Sequence, residues 1–494
     1  MRNFETVART LRYQRLANAC LEHDIRSLFL GHHASDVTET IIHRLIRGQR
    51  FASGGLGGIK PVNGIPCSQN IFGASCGFEA SSVSSLTGNQ LRTASSVQEA
   101  GNLTVSRPAS DDDLFPNGVP VSESGIKIYR PLLSFPKSRL LATCTANGIP
   151  FVSDPSNFDP TTTTRNAIRW LLSNDKLPMA LRQDSILRLG AASTKVGEVR
   201  RKKAQELMNA TQLVRFDTRS SCLRIIVPTD IVKNHQASGV DAAYYLSRLL
   251  SLVSPTVEAP RSFLDHIDTA RWMFPELNPL GFSGSDKITD TGSRTVGDAL
   301  MENVRGHPSR LWQLTRRPFR ADEKPESAFS SAAPYSRGDD RDWSAWQAWD
   351  GRYWVRIRRP HRADVGSFKI RALRPSDLAQ LRKREGHLGS RQLQRLGDLL
   401  RDAAPGKVRY TLPVVVGGEK LYALPTLDIG FSFLEDACGI QDETDQLRWQ
   451  VRYKDITDTL PYLKEADRSV QDNANLLFLG GSQHRLSSTP YLQT

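Results

Sequence analysis

Cysteine is scarce in this sequence of 494 residues, and its six thiols, at Cys20, Cys67, Cys76, Cys144, Cys222 and Cys438, form no Cys-x-x-Cys pair. That spacing builds neither a zinc site nor a disulfide framework, so the thiols read as reduced and structural, in an intracellular setting. A second absence is any apolar run of the ~18 residues or more that a spanning helix needs, which excludes a transmembrane helix. Acidic residues are the minority charge, 52 against 65 lysines and arginines, a formal charge of +13. A positive balance of that size suits a phosphate-rich partner such as a nucleic acid, and equally a set of solvated basic faces. The length exceeds what one hydrophobic core organises, so two or three domains are expected.

Along the chain, Val7, Leu11, Leu16 and Ala19 recur at helical spacing among Arg9, Arg12 and Arg15, predicting an amphipathic helix over 5–20. The run Ser27-Leu28-Phe29-Leu30 then predicts a short strand, Gly31-His32-His33 a turn, and Asp36 to Arg47 a second helix. Chemistry in open α/β sheets gathers where strands hand over to helices, so this turn is the first place to look. Residues 66–125, rich in Ser, Gly, Asn and Thr, read as a mobile, disordered insertion. Order is expected again in a strand near Ile126–Leu133, a helix over 137–147 and another from Arg165 to Leu172. The middle, 181–320, reads as helical and basic through Lys195, Arg200, Arg201, Lys202 and Lys203, with strand-like pieces near 213–228. A linker is expected over 321–345 and a small C-terminal α/β module over 346–494, with turns at Asp350-Gly351 and Gly417-Gly418.

Asp36 and Glu39 stand three apart at a helix start, so their carboxylates emerge on nearly one face beside the positive end of the helix dipole. They could hold an ammonium or a cation, or simply complement the dipole. His32 and His33 are adjacent and point apart, with no further ligand at metal-binding spacing, so no metal site is expected. Ser53-Gly54-Gly55-Leu56-Gly57-Gly58 looks like a phosphate loop, but no strand precedes it and Lys60-Pro61 follows where a helix should begin, so it reads as a flexible connector. Asp154, Asn157 and Asp159 share one turn ahead of Arg165, Asn166 and Arg169. Arginine there could grip phosphate or carboxylate, or the turn could satisfy itself.

Taken in order, these blocks resemble the tRNA(Ile)-lysidine synthetase family of the PP-loop ATP pyrophosphatase superfamily. Its members carry Ala-Arg-x-x-Arg-Tyr, Gly-His-His-Ala-Asp-Asp-Gln-x-Glu-Thr, Gly-Leu-x-Gly-Ile, Arg-Pro-Leu-Leu and Asp-Pro-Ser-Asn-x-Asp…Arg-Asn-x-Ile-Arg. The counterparts are Ala8-Arg9…Arg12-Tyr13, residues 31–40 with Arg47-Gly48, Gly55–Ile59, Arg130–Leu133 and Asp154–Asp159 with Arg165–Arg169. The resemblance implies an α/β fold: an incomplete Rossmann-like PP-loop domain with a parallel sheet over 1–65 and 126–180, then the helical middle and the C-terminal α/β module. It implies a ligase that uses ATP with Mg²⁺ to adenylate the C2 oxygen of the wobble cytidine of a CAU-anticodon tRNA(Ile), after which the ε-amine of free lysine displaces AMP.

On the same ground Asp36, Glu39 and His33 would be catalytic, while Arg165, Asn166, Arg169, Asp154, Asn157, Arg9 and Arg12 would meet lysine or tRNA. His32, Arg47 and Gly48 would lie at the nucleotide. The sequence departs from the pattern at Ser35, where the family has Asp, and at Val37, where it has Gln. Members also carry an upstream strand and Ser-Gly-Gly-x-Asp-Ser loop, whereas this sequence opens at the Ala-Arg-x-x-Arg-Tyr helix. The expectation is an N-terminally truncated synthetase domain, with a catalytically degenerate tRNA-binding relative as the alternative. A sulfur-transferring relative would use a cysteine pair, which the scattered thiols do not supply. Family resemblance favours a mitochondrial over a cytoplasmic setting, and the opening residues Met1-Arg2-Asn3-Phe4-Glu5 are unlike a transit peptide.

Overall fold

The computed structural model describes residues 4–49, 51, 54–74, 118–122, 125–152, 159–255, 263–277, 292–304, 310–330, 342–359, 367–383, 390–418, 420–431, 447–456, 459–467 and 470–471. Its first unit is α/β. Helix α1 (Phe4–Glu22) precedes strand β1 (Ser27–Phe29), which the His32-His33 turn joins to α2 (Ala34–Ile46). Two further short strands, β2 (Val62–Gly64) and β3 (Lys127–Tyr129), complete a sheet in the order β1-β3-β2. The β1–β3 pair is parallel, Ser27 opposite Lys127, and β2 runs antiparallel. Tyr13, Ala17 and Cys20 of α1 cover this sheet through Ile65, Ile126 and Ile128, which is why the helical spacing places them on one face. Helices α3 (Lys137–Ala146) and α4 (Thr164–Ser173) follow.

Helix α5 (Gln183–Ala210) carries the chain into the middle region. There β4 (Gln212–Asp217) and β5 (Cys222–Val227) lead through α6 (Ile231–Asn234), α7 (Gly239–Val253) and α8 (Phe263–Met273) to β6 (Ser293–Val296), β7 (Ala299–Val304) and β8 (Arg310–Arg316). The helices expected here are present, and a largely antiparallel six-stranded sheet lies beside them. Strand β9 (Glu326–Ala328) falls within the stretch read as a linker and pairs with β12 (Phe368–Ala372).

The hairpin of β10 (Gln347–Trp349) and β11 (Tyr353–Arg358) turns at Asp350-Gly351, both at positive φ, which only a glycine-type turn tolerates cheaply. After α9 (Pro375–Lys383) and α10 (Ser390–Ala403), β13 (Pro413–Gly417), β14 (Lys420–Leu424) and β15 (Ile429–Gly430) extend a five-stranded sheet in the order β15-β14-β13-β12-β9. Strand β16 (Arg448–Tyr453) pairs with β11, and β17 (Lys464–Glu465) returns to lie parallel to β4. One continuous core runs from Leu207 and Leu246 through Ile225 and Trp312 to Tyr353, Ile370 and Val415. The middle and C-terminal regions therefore share apolar packing across the boundary drawn from sequence.

Two loops differ from the reading of sequence alone. The glycine-rich segment is packed, not a free connector: Leu56 is buried beside Ile41, Ile42, Ile168 and Ile186, and its N–H donates to Ser193 Oγ at 3.2 Å. Gly54, at φ +65°, lies so close to Gly197 of α5 that a Cβ would fall 2.8 Å from its Cα. The flanks of the expected insertion are packed as well. Ser68 and Ala74 are buried in the first unit, while Val119 enters the large core and residues 120 and 122 hydrogen-bond both backbone groups of Tyr453, around an isolated bridge at Val121.

Candidate active site

The strand-to-helix turn after β1 is closed by its own side chain. Asp36, in the first turn of α2, accepts the His33 backbone N–H at 2.9 Å, using a carboxylate where the helix dipole favours negative charge. One turn on, Glu39 is buried, its side chain 3% exposed. It accepts from Arg169 twice, Nε to Oε1 at 2.9 Å and Nη2 to Oε2 at 3.0 Å, a fork that ties α2 to α4. Arg165 lies 3.9 Å from the same carboxylate and donates to Thr40 Oγ1 at 3.3 Å. The α4 helix that presents both arginines is capped by Thr163, whose hydroxyl accepts from the Asn166 N–H at 3.1 Å. Asn166 is itself buried and donates from Nδ2 to the Asp159 carbonyl at 3.1 Å. Asp159 is absorbed by its own turn, bonded by Thr161 and Thr162, and those hydrogen bonds hold its carboxyl below the ordinary range.

A set of guanidinium groups surrounds this turn. Burial lowers the pKa of His32, opposed by Asp36 and reinforced by Arg130, Arg165 and Arg12, so the imidazole stays neutral at neutral pH. Arg130 is buried; its guanidinium donates to the Lys60 carbonyl at 2.9 Å and to Asn63, and its pKa is lowered by burial, with Tyr13 opposing and Arg9 adding. Arg9 and Arg12 lie over the Tyr13 ring at 5.6 and 5.7 Å. Arg44, near the end of α2, donates to the Gly55 carbonyl at 3.2 Å, and burial, with Arg9, lowers its pKa. Arg12, Arg130 and Arg165 thus outnumber Asp36 around His32, a balance that a phosphate-bearing ligand would suit, while Arg44 stands toward the far end of α2.

Asp36, Glu39, His32, His33, Arg12, Arg165, Asn166 and Arg169 are gathered near this turn, with Glu39 committed to Arg169 and Asp36 left as the more accessible carboxylate, while Arg9 lies over Tyr13 and acts on Arg44 and Arg130 instead. Arg47 and Gly48 stand at the opposite end of the 13-residue helix α2, about 15–20 Å away along its axis, where Gly48 at φ +72° ends the helix. Asp154 and Asn157 lie outside the described residues. Val37 packs against Gly58 and the Leu56 cluster, so an apolar side chain suits that position. Arg44 and Arg130 escaped selection from sequence. Arg44 stands two helical turns after Asp36, a spacing that could have marked it, and Arg130 opens the Arg-Pro-Leu-Leu block. Among the described residues no group of three or more His, Cys, Asp and Glu is arranged to hold a metal.

A PP-loop domain model matches residues 1–72 and 117–175, the two segments that build the small sheet and the turn. A protein of Schizosaccharomyces pombe described as a "Probable tRNA(Ile)-lysidine synthase" is 26% identical over 437 residues, 88% of this chain and 75% of the relative. The tRNA(Ile)-lysidine synthases of Methylobacterium nodulans and Orientia tsutsugamushi are 27% identical over 155 residues and 40% over 70, covering 28% and 16% of their own lengths. The likeness to the Schizosaccharomyces pombe protein spans 437 residues and so continues well past the PP-loop domain. With the blocks around the His32-His33 turn in the order the resemblance led one to expect, the chain carries a PP-loop domain and is similar along most of its length to a protein described as a probable tRNA(Ile)-lysidine synthase.

Proposed function

We propose that the chain acts as a tRNA(Ile)-lysidine synthetase-like ligase, attaching free lysine to C2 of the wobble cytidine of a CAU-anticodon tRNA(Ile) at the expense of ATP. The observation that carries this reading is the grouping of Asp36, Arg165 and the Glu39–Arg169 fork at the strand-to-helix turn, where Arg12 and Arg130 also bear electrostatically on His32. ATP would supply the adenylyl group that turns the C2 oxygen into a leaving group. The guanidiniums would then offset phosphate charge and hold the polyanion in place. Lysine arrives as an ammonium and must lose a proton before its ε-nitrogen can attack. Asp36, partly exposed at the helix start, is the carboxylate placed to hold that ammonium, and neutral His32 beside it can accept a proton. Glu39 is assigned a positioning role: held by Arg169, it fixes α4, and with it Arg165, against α2. Incubation with ATP, Mg²⁺, labelled lysine and the CAU-anticodon tRNA is expected to yield labelled tRNA and AMP in equal amounts. No incorporation under conditions where the tRNA binds would overturn the reading.

A catalytically degenerate tRNA-binding relative is the second reading, favoured by Ser35 and by the engagement of Glu39 with arginine instead of an open pocket. It predicts salt-sensitive tRNA binding without ATP consumption. AMP release that requires both tRNA and lysine excludes it.

A further inference from the structure

Arg165 and Arg169 both leave α4 toward α2, yet the fold uses them differently. Arg169 places Nε and Nη2 on Glu39, one on each oxygen, and so answers the buried carboxylate. Arg165 lies 3.9 Å from the same carboxylate, beyond hydrogen-bond reach, with its side chain 34% exposed. Its one hydrogen bond among the described residues goes to a neutral group, from Nη2 to Thr40 Oγ1 at 3.3 Å. The Thr40 hydroxyl is itself fixed. Its proton goes to the Asp36 carbonyl one turn back at 2.7 Å, which leaves the oxygen to face Arg165 as an acceptor. That chain of two bonds sets the guanidinium beside the first turn of α2, where Asp36 stands.

Helix stability gives little reason for this arrangement. Arg165 stands in the first turn of α4, which holds no acidic residue, at the end where the helix dipole opposes a cation. One bond to a hydroxyl also leaves most of a guanidinium's N–H donors unused. We infer that Thr40 is a positioning residue, its hydroxyl holding the Arg165 guanidinium so that the remaining donors meet an oxyanion of the substrate, a carboxylate or a phosphate, beside Asp36. Bidentate donation to either oxyanion requires the guanidinium plane to be fixed, and a neutral acceptor fixes it without cancelling its charge. A carboxylate in place of Thr40 would hold the arginine harder and neutralise it. The source of the oxyanion rests on the ligase reading, in which free lysine brings the carboxylate while ATP and tRNA bring the phosphates. The positioning itself does not depend on lysine transfer.

The test compares Thr40→Val, which keeps the shape and removes the acceptor, with Thr40→Ser, which keeps the acceptor. Thr40→Ala serves in place of the valine variant if that one unsettles α2. In the full chain carrying isotope-labelled arginine, rotation of the Arg165 guanidinium is followed by NMR, its signal assigned with Arg165→Lys. Rotation is expected to be slow in the parent and in Thr40→Ser, and faster by about tenfold in Thr40→Val, the worth of one hydrogen bond to a charged group. In the lysine-transfer assay Thr40→Val is expected to raise one KM by about tenfold with kcat held within about twofold, and Thr40→Ser to restore it. A rise in the KM of lysine assigns the carboxylate, and a rise in that of ATP or tRNA assigns the phosphate. Unchanged rotation in Thr40→Val, unchanged KM for all three substrates, or no restoration by Thr40→Ser would each overturn the inference. A parent that transfers no lysine, while Arg165 rotation still responds to Thr40→Val, counts against the ligase reading alone.

Discussion

Glu39 gains nothing from water: its side chain is 3% exposed and its charge is met by the Arg169 fork, with Arg165 3.9 Å away. Removing Arg169 leaves a buried carboxylate half-answered, so Arg169→Met is expected to cost about 2 kcal/mol in urea unfolding, less than a fully buried pair because Arg169 keeps some solvent and Arg165 remains. Glu39→Gln with Arg169→Met should cost less than the sum of the single changes, which a double-mutant cycle measures. His32 should titrate below 6.5 by NMR, because burial first, and then Arg130, Arg165 and Arg12, disfavour its cation. Its folded-state pKa being depressed, the unfolded chain binds the proton more tightly, so stability falls as the pH drops through the window below 6.5. Lys454 follows the same sign higher up. Burial, with Arg352 adding and Asp350 opposing, brings its pKa from 10.5 down to about 7, so its penalty is full below 7 and fades as the pH rises toward 10.5. The stability of Lys454→Met relative to the parent should therefore shrink by about 2 kcal/mol between about pH 7 and about pH 8.5, read by chemical denaturation.

At the scale of elements, the joint between α2, the glycine-rich segment and α5 decides how the site is held. Gly190 and Gly197 let Ile41 and Gly54 approach the α5 surface, and Ser193 accepts the Leu56 N–H between them. Gly54→Ala would meet both a positive φ and the Gly197 backbone at 2.8 Å, so a loss of about 2–4 kcal/mol is expected in thermal or urea unfolding. Helix and strand existence was legible along this stretch because apolar periodicity set it: α1, α2, α3 and α4 each fall within a few residues of their expected spans. The glycine segment was not legible. Glycine reads as freedom in sequence, and only the approach of a second helix shows that here it removes side-chain bulk from a contact.

Across the whole molecule, the first unit is clipped to the rest at points far apart in sequence. Leu56 reaches α5, Phe72 stacks on Trp346, Val119 enters the large core, and Tyr453, bridged to Val121, also donates its hydroxyl to the Leu252 carbonyl at 2.7 Å. The middle and C-terminal regions share that core, so helical circular dichroism and tryptophan emission from them should be lost together on heating. Val119→Asp with Phe72→Ala should release the clip and split unfolding into two steps, seen by calorimetry and by earlier proteolytic release of the first unit. A single unchanged transition would show the clip to be incidental.

What the amino-acid order by itself determined was local and periodic: the α/β alternation, the Asp36 and Glu39 spacing on one helical face, the Asp350-Gly351 and Gly417-Gly418 turns, and the ordered blocks that mark the family. Those features depend on residues a few positions apart, where backbone geometry and solvent exclusion leave few options. What only the tertiary structure decided was which charges meet. Arg169 finds Glu39 across 130 residues, Arg12, Arg130 and Arg165 converge on His32, and Arg448 comes to lie opposite Arg358. Such pairings follow from how distant elements pack, and in this sequence arginine is too common for any one of them to announce its partner.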